Sequence, residues 1–280
     1  MKAFNPMSLV EGLEQLINES RYRKQIEKDI KDFLENKKAL DKNPDSMTAL
    51  KKLGELIASR NYYRRKYAKL FSKEFKKIER SRSGFFRTNK GKQKFLGIFG
   101  KVAFQKDDAL KKAHALLEEL SRKSIKEWTE DLHTLSQNGE GDEILGPKGR
   151  DIYLRDMSYF DRIPMDIHEM RFIIRTGIYH LCSRNLFNPL EKDDLQDAIV
   201  NFCKEYLSGL SVSGIDLSKS PGIVDLVIWY HCADPPDGFS VCAVEPRCLE
   251  KKDVCALSKA CLFAVSKNNA NVRSFTRNSC

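Results

Sequence analysis

Among the residues able to do chemistry, cysteine is the most unevenly placed. The eight cysteines are Cys182, Cys203, Cys232, Cys242, Cys248, Cys255, Cys261 and Cys280, and none precedes them. From Cys232 to Cys261 the successive gaps are nine, five, six and five residues. Structural zinc sites use closer Cys-x2–4-Cys pairs. One metal reading is open: strand ends around the turn at 233–238 could bring His231 or Cys232 to Cys242, with Cys248 beyond, as zinc ligands. No other cofactor is expected. Cys182, Cys203 and Cys261 fall on apolar helical stripes and read as buried thiols.

Catalytic patterns fail on spacing. Gly91-Lys92 is followed by Gln93, and the previous glycine is Gly84, so a phosphate-binding loop ending in Gly-Lys-Ser/Thr is excluded. Ser211 has Ser213 where a nucleophile elbow needs glycine. His168-Glu169 opens like a zinc-protease helix, but Phe172 stands where the second histidine belongs. His180 is off the face of His168. Asp156, Asp161, Asp166 and Glu169 are close in sequence, and helix capping or surface exposure is their simpler role.

The positive signal is a segment, residues 60–101, RNYYRRKYAKLFSKEFKKIERSRSGFFRTNKGKQKFLGIFGK. It holds fifteen Lys and Arg against Glu74 and Glu79, while the whole chain carries only +10. The basic character is therefore local. Cations release counterions from phosphates, and rings offer stacking faces to unpaired bases. The expected ligands of a single-stranded nucleic acid, RNA before DNA, are Arg60, Arg64, Arg65, Lys66, Lys69, Lys73, Arg82, Phe85, Phe86, Arg87, Lys90, Lys92 and Lys94. Tyr63, Tyr67, Phe71 and Ile78 read as helix core.

Two other classes compete. The same Lys and Phe alternation suits an anionic membrane surface, or an acidic protein met by a microbial effector or virus–host interaction protein. An enzyme with a Cys/His site in the C-terminal half is the third reading. A non-enzymatic binding protein is the leading one.

These residues need elements to position them. Leu9, Leu13 and Leu16, then Ile26, Ile30 and Phe33, recur at helical steps. After a cap at Asp45 or Ser46, apolar residues from Leu53 to Ile78 predict one long helix to about Arg80. Four glycines between Gly84 and Gly100 argue against a regular helix there. Asp107 or Asp108 should cap a helix carrying Leu110 to Leu135. Further helices are expected over 167–181, 195–210 and 254–265, with a β-hairpin made from 223–230 and 239–244.

The expected fold is mainly α: a helical domain (1–137), a linker or long loop (138–150), and an α+β domain (151–280) that could supply oligomer contacts. No apolar run spans a bilayer and no secretory leader is evident. A cytoplasmic or nuclear protein is expected, with signal-independent export still open.

Overall fold

The computed structural model describes residues 4–59, 65–82, 84–182, 191–234, 238–243 and 255–262, with only the backbone of Arg65. Its helices are α1 (Pro6–Asn18), α2 (Ser20–Lys42), α3 (Met47–Ser59), α4 (Arg65–Glu79), α5 (Asn89–Val102), α6 (Lys106–Arg122), α7 (Ile125–Gln137), α8 (Gly146–Asp156), α9 (Ile167–Thr176), α10 (Lys192–Tyr206) and α11 (Pro221–Cys232). Short 3-10 turns lie at Phe85–Arg87, Ile178–Leu181 and Leu217–Lys219. The one ladder among the described residues pairs β1 (Ser211–Val212) antiparallel with β2 (Ile215–Asp216). The protein is mainly helical with a small hairpin. No helix among the described residues is long and apolar enough to cross a membrane.

The chain forms two compact units, Lys31–Tyr159 and Met1–Ile30 with Phe160–Cys280. The linker expected at 138–150 lies inside the first of these. Residues 138–145 connect α7 to α8, which begins at Gly146. The first helix belongs with the C-terminal residues because it packs on them. A Cβ at Gly12 would stand 2.8 Å from Leu257 and 2.9 Å from the Ala256 carbonyl.

In the unit Lys31–Tyr159, the long helix expected from Ser46 to Arg80 is two helices, α3 and α4, packed together. Gly54 makes the approach possible: a Cβ there would lie 2.1 Å from the Phe71 ring. Hydrophobic periodicity marks both helices but cannot show a reversal between them. The glycine-bearing stretch is also helical. Thr88 caps α5 by accepting from the Gly91 N–H at 3.0 Å. Gly91 is seated on the Phe85 carbonyl, where a Cβ would lie 1.8 Å away. Phe95, Ile98, Phe99 and Val102 are buried at three- and four-residue steps. Their burial, roughly 2 kcal/mol for each large side chain, outweighs the helix cost of about 1 kcal/mol per glycine.

The helix expected over Leu110–Leu135 is broken into α6 and α7 at Lys123-Ser124. Ser124 and Glu127 make a reciprocal capping box for α7. Neither Asp107 nor Asp108 is the cap of α6; both sit in its first turn after Gln105, where carboxylates favour the helix dipole.

In the other unit, 223–230 is not a strand. Pro221 opens α11, and Ile223, Val224, Leu226, Val227 and Ile228 are all buried. A helix apolar all round is an interior helix, and burial overrides the β-propensity of its residues. Over residues 239–243 the expected return strand is instead a loop latched to the end of α11, and Val244 lies outside the described residues. The N–H groups of Phe239, Ser240, Val241 and Cys242 donate to the carbonyls of Tyr230, Ala233, His231 and His231. Residues 256–260 form turns where the last helix was expected, and residues 254 and 263–265 of that helix lie outside the described residues.

Candidate nucleic-acid interface

Helix α4 separates two kinds of residue. Ala68, Phe71, Phe75 and Ile78 are buried. Lys66, Lys69, Lys73, Lys76 and Arg80 are exposed. At 100° per residue the two sets fall on opposite faces, and at 1.5 Å per residue the cation row extends about 21 Å. The buried face carries the row. Phe71 stacks on Phe75 at 5.7 Å between centroids and meets Phe99 at 5.1 Å, while Phe95 meets Phe99 edge-on at 5.2 Å.

These rings are not stacking platforms. Phe71, Phe75, Phe95 and Phe99 are fully buried and Phe86 is 1% exposed. Phe86 therefore leaves the expected ligand set and joins the core, because its ring completes the packing under α5. Phe85 is half-buried, with Lys94 Nζ 5.8 Å from its ring centroid. The alternation that suggested insertion into lipid is thus largely an inside–outside alternation of two helices.

Arg87 also has an internal role. Its Nε and Nη2 donate to the two Asp45 carboxylate oxygens at 3.1 and 2.9 Å, and Nη2 donates to the Lys123 carbonyl at 3.0 Å. This fork ties the 3-10 turn to the link before α3 and to the break between α6 and α7. It satisfies the bidentate geometry that a phosphate would otherwise use.

The segment's acids are already matched. Glu74 accepts from Lys77 at 2.7 Å and lies 4.0 Å from Lys101, and the bond from Lys77 holds its carboxyl below the usual range. Glu79 lies 3.8 Å from Lys51. Among the described residues, Lys66, Lys69, Lys73, Lys76, Arg80, Arg82, Lys90, Lys92 and Lys94 make no ion pair. All are exposed except Lys92, which is half-buried. Arg60 and Arg64 lie outside the described residues, as does the side chain of Arg65.

The zinc candidates are arranged otherwise. His231 Nδ1 shares a 2.8 Å hydrogen bond with the Tyr22 hydroxyl, and Nε2 lies 3.4 Å from Cys255 Sγ. Burial, then the neighbouring Arg21, lowers the His231 pKa to about 3. A cysteine nucleophile paired with histidine needs the imidazolium form, which this burial disfavours. Cys232 does meet Cys242, but Arg175 Nη1 sits 3.2 Å from the Cys242 sulfur. Cys248 lies outside the described residues. Among the described residues, no three His, Cys, Asp or Glu side chains converge to hold a metal ion.

Asp166 and Glu169 cap α9 reciprocally: Asp166 accepts from the His168 N–H at 2.6 Å and Glu169 from the Asp166 N–H at 2.9 Å. Tyr22, Arg175 and Cys255 escaped the sequence reading. Their partners are distant in the chain, and only the cysteine spacing hinted at one of them. Comparison of the chain with protein-family models, with curated proteins and with solved structures finds no match.

Proposed function

We propose that the protein binds a nucleic acid through its phosphates, on the exposed cation row of α4, with the exposed Arg82, Lys90 and Lys94 as further phosphate contacts. The observation that carries this reading is the set of exposed Lys and Arg side chains with no acid partner among the described residues. Clustered like charges repel one another and favour a polyanion that neutralises them. Single-stranded RNA is still the first ligand to test. The support for it now comes from charge, since Phe86, Phe95 and Phe99 are turned inward. Anionic lipid and acidic protein share that charge logic but receive no additional support from exposed rings.

The test is fluorescence anisotropy with labelled single-stranded and duplex RNA across a salt series. In wild type, log affinity should fall linearly with log salt. The triple variant Lys69→Glu, Lys73→Glu, Lys76→Glu changes only exposed positions. It should lose at least about 2 units of that slope, as three phosphate contacts each contribute roughly 0.7 to 0.9. Its circular dichroism should match wild type. Equal affinity and slope in the variant would remove α4 as the interface. Absence of binding at low salt, with sedimentation on phosphatidylserine vesicles, would replace nucleic acid by lipid.

A further inference from the structure

The loop latched to the end of α11 brings two sulfur atoms together. Cys242 N–H donates to the His231 carbonyl at 3.0 Å, so Cys242 lies beside the residue that follows, Cys232. Both residues are buried. Arg175 fixes one of them. Its Nη1 donates to the Cys242 carbonyl at 3.1 Å, to the Ala243 carbonyl at 2.7 Å and to Cys242 Sγ at 3.2 Å. A guanidinium against one sulfur favours its thiolate, while Cys232, buried and near Glu169, keeps its proton.

We propose that Cys232 and Cys242 are a redox-active dithiol, a modification site that hydrogen peroxide converts to an intramolecular disulfide. The geometry divides the roles. The Cys242 thiolate attacks one peroxide oxygen, the O–O bond breaks, and the departing hydroxide takes a proton to become water. Cys242 is then a sulfenic acid. The Cys232 sulfur attacks it, the S–S bond forms, the S–O bond breaks, and the Cys232 proton leaves with the hydroxyl as a second water. Two thiols and one peroxide become one disulfide and two waters. Peroxide is close to water in size, which suits a buried pair.

Cys203 is the internal control: it is fully buried, and burial pushes its thiol up to about 12. The experiment is a peroxide time course on the reduced full chain, quenched in acid, unfolded, alkylated and mapped by mass spectrometry without reduction. The free Cys242 peptide should disappear about tenfold faster than that of Cys203, given its thiolate character. It should reappear cross-linked to Cys232. In Cys232→Ser, Cys242 should stop at a sulfenic acid that dimedone traps. Should that variant fail to fold, the wild-type map still decides. Loss of Cys242 no faster than Cys203, or a disulfide from Cys242 to any other cysteine, would overturn the proposal. So would stoichiometric zinc protecting both sulfurs.

Discussion

The two compact units handle polar and charged groups in different ways. In Lys31–Tyr159 the cations of α4 stay outside and the phenyl rings beneath them form a dry cluster. The buried ion pair of that unit is closed, with Arg150 Nε on Asp151 at 2.8 Å and the Ser136 hydroxyl donating to the same carboxylate at 2.9 Å. In Met1–Ile30 with Phe160–Cys280, His231, Glu169, Arg171, Arg175, Asp225 and Cys232 are all buried. The first unit therefore depends on apolar packing and leaves a row of cations exposed on its surface. The second keeps titratable groups in its interior, so its stability should respond to pH and oxidants.

The strongest way to break this contrast is Phe71→Ala. The ring contacts Phe75, Phe95 and Phe99 and fills the space above Gly54. Its loss should cost about 4 kcal/mol, measured by urea denaturation. Hydrogen exchange should show the largest loss of protection in α3, α4 and α5. A cost under about 1 kcal/mol would mean that the ring cluster does not hold the cation row.

The pH response sharpens the other side. His231 has a folded pKa near 3 against an ordinary value of 6.5. The unfolded chain therefore binds the proton more tightly. The stabilisation from keeping this ring neutral is complete above pH 6.5 and is lost as pH falls through that window. Between pH 6.5 and about 4.5 the loss should be about 2 kcal/mol, and His231→Gln should flatten it. Glu169 acts in the opposite sense: burial, then Asp166 and Asp225, raises its pKa well above 4.5. Its contribution is present in acid and fades as pH rises through the raised value. Urea midpoints across pH for wild type and His231→Gln check both signs; an unchanged acid limb in the variant would remove His231 from the account.

The smallest effect expected is that of Asp45→Ala, which frees the Arg87 fork. Both side chains are partly exposed, at 20% and 34%, so solvent screens the pair. A loss of about 1 kcal/mol is expected. The salt slope for RNA should change little unless the released Arg87 joins the interface, in which case it should steepen.

Helical character was readable because the apolar steps Leu9, Leu13, Leu16 and Phe71, Phe75, Ile78 are local. The direction in which a ring points was not. Phe85-Phe86 looks like one motif in sequence, yet Phe86 is buried and Phe85 is half-exposed. The split of α3 from α4 rests on a glycine seventeen positions before the ring it accommodates. The helix at 221–232 defeated propensity, since Ile223 to Tyr230 reads as a strand until neighbours cover every side of it. Arg87 looked like a phosphate ligand because its acceptor, Asp45, is 42 residues away. Candidate cations were legible from composition; which of them are already paired depends on such distant contacts.

The cation row on α4 also bears on the helix that carries it. Lys66, Lys69, Lys73, Lys76 and Arg80 are three and four residues apart, the spacing at which like charges destabilise a helix. The buried rings hold together a helix whose outer surface pushes itself apart. Counterions relieve that repulsion by screening, and they also compete with any polyanion for the same side chains. If α4 binds a polyanion as proposed, ionic strength acts on it in two opposed directions, tightening the helix while loosening its grip.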